Sequence, residues 1–209
     1  MGHPELARLV EVMARLRRDC PWDARQTHES LVQFLVEETC ETVEAIESGD
    51  PEHLREELGD LLLQVIFHAE IADRFTVEDV ARGISDKLVA RHPHVFATDE
   101  VPADLHATWE ERKAAEKGRT SVLQGIPEQL SALARGHKIV SRARSRRVPL
   151  ELPADPVTAE EVGAQMLTLV ARAQASGIDP EQAVRAAVRR LEQDVRHAEA
   201  TQTGPAQQP

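Results

Sequence analysis

The segment from Thr27 to Phe67 limits the possible folds more than any other part of the chain. Two runs with apolar residues at helical spacing are joined there by Gly49-Asp50-Pro51. Glycine provides a helix stop, aspartate an N-cap, and proline a first helical position whose missing N–H costs nothing. The pattern predicts one helix from Thr27 to Ser48, with Thr27 as N-cap, and another from Pro51 to about Ala72. The second helix is the more restrictive. From Leu58 to Ile66 every residue except Gly59, Asp60 and Gln64 is Leu, Val or Ile, so it is apolar on nearly all sides and expected to be buried.

Glu57, Asp60, Gln64 and His68 form one polar stripe along that helix. A buried, uncompensated carboxylate is costly, and Arg55 is the only Lys or Arg between Glu29 and Glu70. The preceding helix carries Glu37, Glu38, Glu41 and Glu44. Glu38 and Glu41 are three residues apart, as are Glu57 and Asp60, so each pair lies about 60° apart and ~4.5 Å along its helix and can aim at one point. A solvated acidic face is the plain alternative for any single pair. Two pairs on neighbouring antiparallel helices, one of them apolar, point instead to a divalent cation held by Glu38, Glu41, Glu57 and Asp60. Oxygen-only ligands suit Mg²⁺, or Mn²⁺, better than zinc or copper. A di-iron bundle needs Glu-x-x-His motifs, and the sequence has none.

The remaining chain also reads as helices: 4–18, a fourth opened by a Thr76–Asp79 capping box and closed at His92-Pro93, a loop over 93–103, and a charged helix over 104–117. A basic helical stretch from Leu130 to Arg147 comes next, then a helix capped by Thr158 and Glu161 and ended at Gly177, and a last one from Pro180. No stretch alternates as strands do, so the expected class is all-α. Residues 57–91 and 161–194 share a loose pattern of Glu-[Leu/Val]-Gly, apolar helix, capped turn and apolar-plus-basic helix. Chance likeness between two amphipathic hairpins is the competing explanation. If the repeat is real, Ala164 replaces Asp60 and the upstream acidic helix gives way to basic sequence, leaving a shortened, degenerate copy without a metal site. The expected division is a catalytic domain over 1–118, the degenerate helical copy over 119–200, and a disordered Gln/Gly/Pro tail over 201–209.

A net charge of −11 argues against a general nucleic-acid binder. Cys20 and Cys40, the only cysteines, form no Cys-x-x-Cys and fit a reducing compartment. Neither a secretory leader nor an apolar span long enough for a bilayer is present, so the expected setting is cytoplasmic, without membrane.

Glu38-x-x-Glu41, fifteen residues, then Glu57-x-x-Asp60 resembles the ExxE…ExxD motif of the all-α nucleoside triphosphate pyrophosphohydrolases, and of the MazG family among them. Cys20-Pro-Trp-Asp23 with Gln26-Thr27, Glu57-Leu-Gly-Asp-Leu-Leu62, Ser85-Asp-Lys-Leu88, Arg91-His-Pro-His-Val-Phe96 and Trp109-Glu110 with Lys113 agree with MazG as well. The resemblance covers about residues 5 to 117, and the start of a second MazG domain reappears at Leu130-Ser-Ala-Leu133 and Lys138-Ile139. It implies Mg²⁺-dependent hydrolysis of nucleoside triphosphates to a monophosphate and pyrophosphate, in nucleotide-pool housekeeping. It also implies phosphate contacts from Lys87, Arg91 and Lys113, a base stacked on Trp109, and a substrate contact from Trp22. Glu37 and Glu38 are the candidates for activating water, and the residues do not separate their roles. A narrower relative acting on dUTP, dCTP or phosphoribosyl-ATP, and a non-catalytic nucleotide- or protein-binding module, are the alternatives. The five helices of the first domain cannot easily cover their apolar third helix, so a homodimer or higher homo-oligomer is expected.

Overall fold

The structure, a computed structural model, describes residues 2–97, 100–102 and 104–202. Every regular element among them is helical: α1 (Pro4–Asp19), α2 (Val32–Ser48), α3 (Pro51–Ile71), α4 (Val77–Arg91), α5 (Pro93–Phe96), α6 (Leu105–Glu116), α7 (Ala132–Ser145), α8 (Ala159–Ala175) and α9 (Pro180–Gln202), with a 3₁₀ turn at Asp23–Arg25. They form two compact units, one ending at Phe96 and one beginning at Ala97. The division therefore falls upstream of the expected boundary at 118. The physical reason is that α6 packs on α7, within the second unit.

In the first unit, α2 and α3 pack along each other as a hairpin, and α1 and α4 lean on α3. Gly49 takes the left-handed conformation at φ 70°, and the Asp50 side chain accepts the backbone N–H groups of Glu52 and His53. Pro51 sits at the first position of α3. The core is Met13, Leu31, Ile66 and Phe67, with Leu9, Val10, Phe34, Leu62, Leu63, Ile71 and Val77 packed against it. Thr76 and Asp79 cap α4 reciprocally, as their spacing predicts.

Three local expectations change. The α-helix of α2 begins at Val32, not after Thr27; Thr27 and Ser30 bond to each other's backbone N–H in a separate turn first. Residues 93–96, expected as loop, close a single helical turn begun by Pro93, with the N–H groups of Val95 and Phe96 bonded to the His92 carbonyl. The third helix is not buried on all sides, since Leu58 is 51% and Val65 44% exposed. Within the first unit, α1, α2 and α4 are the described elements that pack on it, which leaves these positions open.

The second unit centres on α7 and α9, with Val122, Ile126, Ile139, Ala143, Val148, Val188, Val195 and Ala198 as its core. A Cβ on Gly136 would lie 3.2 Å from a Val188 methyl, so glycine lets the helices approach. The basic stretch is largely turned to structural work. Arg135 pairs with buried Glu192 at 2.6 Å and reaches the carbonyls of Ile126 and Pro127; Arg142 donates to those of Val122 and Gln124. Arg144 and Arg146 donate to the carbonyls of Pro153 and Arg119. Thr158 and Glu161 form the expected capping box on α8. Thr201 and Gln202 belong to α9, and the rest of the tail expected to be disordered, 203–209, lies outside the described residues. No helix among the described residues is long and apolar enough to cross a membrane.

Candidate metal centre

Glu38 and Glu41 stand one turn apart on α2, and Glu57 faces them from α3. Each offers a carboxylate oxygen, and the three lie within 4.8 Å of one another. The hairpin makes this possible, because a two-residue corner fixes how α3 is rotated against α2. Burial grades across the group: Glu57 is only 9% exposed, Glu38 is half-buried, and Glu41 is open to solvent. Thr42, buried behind them, donates its hydroxyl to the Glu38 carbonyl at 2.7 Å.

Asp60 is half-buried one turn beyond Glu57, outside the three-oxygen group. Its charge nevertheless reaches Glu38. Burial first, then the charges of Asp60, Glu41 and Glu57, raise the Glu38 carboxyl above its ordinary value. Among the described residues, the only basic side chain set against any of the four is His53, whose Nε2 lies 3.3 Å from Glu57. Acidic side chains so close, with no Lys or Arg against them, fit a hard divalent cation by charge and by donor type. Glu37 is exposed on α2 and is not part of the group.

The polar stripe of α3 continues below the carboxylates. Gln64 is 5% exposed, and its Oε1 has no protein partner. His68 stacks on His28, with ring planes 6° apart and their Nδ1 atoms 2.8 Å apart. Its Nε2 is buried without a partner, and burial, then His28, lower its pKa. The stripe is legible from the spacing along α3, but His28 is not, because forty residues separate it from His68.

The other proposed contacts are distributed more widely. Lys87 is exposed on α4, and Arg91 is half-buried at its last turn. Trp22 lies edge-on to Phe34 at 6.0 Å and tilted against Phe67 at 6.5 Å, with 48% of its surface open. Trp109 and Lys113 belong to the second unit, where Lys113 Nζ sits 4.2 Å from the indole centroid and 3.4 Å from Glu110. Burial foremost lowers the Lys113 pKa, against the pull of Glu110.

Residues 26–96 match the model of the MazG nucleotide pyrophosphohydrolase domain. The chain is 38% identical over 208 residues to the nucleoside triphosphate pyrophosphohydrolase/pyrophosphatase MazG of Thermotoga maritima, covering 88% of this chain and 81% of that protein. It is 49% identical over 199 residues to an uncharacterized 26.1 kDa protein of Streptomyces cacaoi, covering 91% of this chain and 81% of that one. A nucleoside triphosphate pyrophosphohydrolase of Mycobacterium tuberculosis matches at 43% identity over 163 residues; they cover 75% of this chain but only half of that longer protein. The acidic hairpin lies inside the matched domain, and two relatives align over most of their own length: the chain belongs to the MazG nucleotide pyrophosphohydrolase family.

Proposed function

We propose that the chain hydrolyses nucleoside triphosphates to a nucleoside monophosphate and pyrophosphate, using Mg²⁺, or Mn²⁺, held by Glu38, Glu41, Glu57 and Asp60. The observation that carries this reading is the convergence of the Glu38, Glu41 and Glu57 oxygens, with no Lys or Arg among the described residues ion-paired to them. The names of the Thermotoga and Mycobacterium relatives support the reaction class. When bound, such an ion neutralises phosphate charge and makes water a better nucleophile at neutral pH.

The chain's own residues supply the rest. Water adds to the α-phosphorus, the bond to the β-phosphate oxygen breaks, and pyrophosphate leaves. Glu38 or exposed Glu37 takes the proton from the attacking water. Lys87 and Arg91, one turn apart on α4, balance phosphate charge, with Lys113 as a further phosphate contact. Trp109 takes the base and Trp22 a further edge of the substrate. The working form is a homodimer or higher homo-oligomer, and the setting is the cytoplasm.

The test is product identification. Purified protein is incubated with each NTP and dNTP, and with phosphoribosyl-ATP, in Mg²⁺. Monophosphate plus pyrophosphate is the expected pair, and diphosphate plus phosphate would refute the reaction. Glu41→Gln and Asp60→Asn are each expected to lower kcat/KM by about 100-fold or more. Full activity in either variant would remove that residue from the metal site.

A further inference from the structure

The last hairpin of the second unit leaves one of its helices almost bare. Among the described elements, only α9 packs on α8, because α7 spends its own packing on α6 and α9. Every residue of α8 is exposed except Ala173, which is half-buried. The sequence of α8 is nevertheless not that of a solvated helix. Val162, Met166, Leu169 and Ala173 recur at the three- and four-residue spacing of a helix seam, with Val170 beside them. Leu169 is 60% exposed and Val170 44%. The helix itself is well made, with Thr158 and Glu161 closing a capping box at its start. An apolar seam on a capped helix of 17 residues calls for an apolar partner.

Reversed, the seam is complementary to itself. Met166 laid opposite Leu169 of a second, antiparallel α8 sets Val162 opposite Ala173 and Gly163 beside Val170, so that small residues face larger ones. A Cβ on Gly163 would meet nothing within 4 Å, which leaves open room for that valine. The same order brings the acidic first turn, Glu160 and Glu161, level with Arg172 of the other copy, and the positive end of each helix beside the negative end of its mate. A parallel pair would set Glu160 and Glu161 against their own counterparts. A lipid surface is the poorer match, because interfacial helices carry Lys and Arg on their polar face, whereas the charges of α8 are Glu160, Glu161 and Arg172.

We infer that α8 is a self-docking surface: it pairs antiparallel with the α8 of a second copy of this chain, about a two-fold axis between Leu167 and Thr168. Five seam side chains are far fewer than the roughly 20–30 residues a side of a standard interface. The pair therefore forms inside an assembly that the first unit already holds together, where linkage raises the effective concentration of the second α8. In that respect it rests on the self-association proposed above; the seam and its charges do not.

The experiment is cross-linking of the full chain at micromolar concentration with a short bismaleimide. Cys20 and Cys40 are replaced by serine, and one cysteine is placed on α8 at a time. Met166→Cys lies on the seam ~2 Å along the helix from the two-fold axis and is expected to give covalent dimer. Thr168→Cys lies closer to the axis but is turned about 160° away from Met166. Ala159→Cys lies on the seam at the start of the helix, where only a parallel pair would bring two copies together. Both are expected to cross-link at least about tenfold more slowly than Met166→Cys. Adding Leu169→Glu to the Met166→Cys chain should remove its lead, with helix content unchanged by circular dichroism. Equal rates for Met166→Cys and Thr168→Cys, or fast cross-linking of Ala159→Cys, overturn the pair. So does binding to anionic vesicles that Leu169→Glu abolishes, which marks a membrane face. Light scattering of the wild type is measured in parallel: an oligomer without the Met166→Cys lead removes the α8 pair alone, and a monomer with that lead removes the first-unit assembly alone.

Discussion

At the scale of single residues, the α3 stripe combines two ways of keeping polar groups on an apolar helix. The upper part, Glu57 and Asp60, works with α2 to assemble like charges that a cation can balance. The lower part uses a pair of imidazoles. His28 and His68 face each other through Nδ1 at 2.8 Å, a distance that accommodates one shared proton and not two. The lowered His68 pKa means that the unfolded chain binds a proton more readily than the folded one. The stability due to this pair is therefore complete above the ordinary imidazole value and is lost as pH falls from there through the depressed folded value. Thermal melts from about pH 8 down to about pH 5 should show the transition temperature dropping in this window. In His68→Gln that drop should be smaller; an unchanged profile would mean that other groups set the acid limit.

At the scale of elements, helix ends were easier to read than helix surroundings. Gly49, Asp50 and Pro51 each act in the structure as their chemistry predicts, because capping is decided by neighbours in sequence. Replacing Asp50 by Ala removes the acceptor for two N–H groups and is expected to cost about 1 kcal/mol in urea melts. The late start of α2 is a local competition: Thr27 and Ser30 satisfy each other and detain the chain in a turn. What sequence could not supply was long-range. The inward-facing arginines of α7 look like a solvated basic face until Glu192 and the carbonyls at 122–127 are placed beside them. The grouping of α6 with α7 was equally hidden, since a charged twelve-residue helix does not announce its neighbour. For the candidate site, the acidic spacing was legible because i and i+3 share a helix face. The contribution of burial to Glu38, and the pairing of His28 with His68, required the fold.

At the scale of the molecule, the first unit leaves apolar stripes uncovered. On α2, Val32, Val36, Val43 and Ile46 are exposed at helical spacing, and on α4 so are Val80, Ile84 and Leu88. Exposed apolar stripes of this kind suit the self-association proposed above, which the apolar third helix also favours. Light scattering is expected to give at least twice 23.2 kDa, falling towards 23.2 kDa for the double variant Ile46→Glu, Ile84→Glu. A monomeric wild type at micromolar concentration would refute the assembly. The two-residue corner between α2 and α3 also limits how the molecule can change in length. Each residue added to a helix turns the downstream chain by about 100° and advances it ~1.5 Å. Inserting one residue between Glu41 and Glu57 would therefore swing one carboxylate pair away from the other unless the corner absorbed it, and a corner of Gly49 and Asp50 has almost nothing to give. Insertions elsewhere can lengthen loops at little cost. The fifteen residues between the two pairs work as a ruler, and descendants of this chain can be expected to keep that count while their other loops drift.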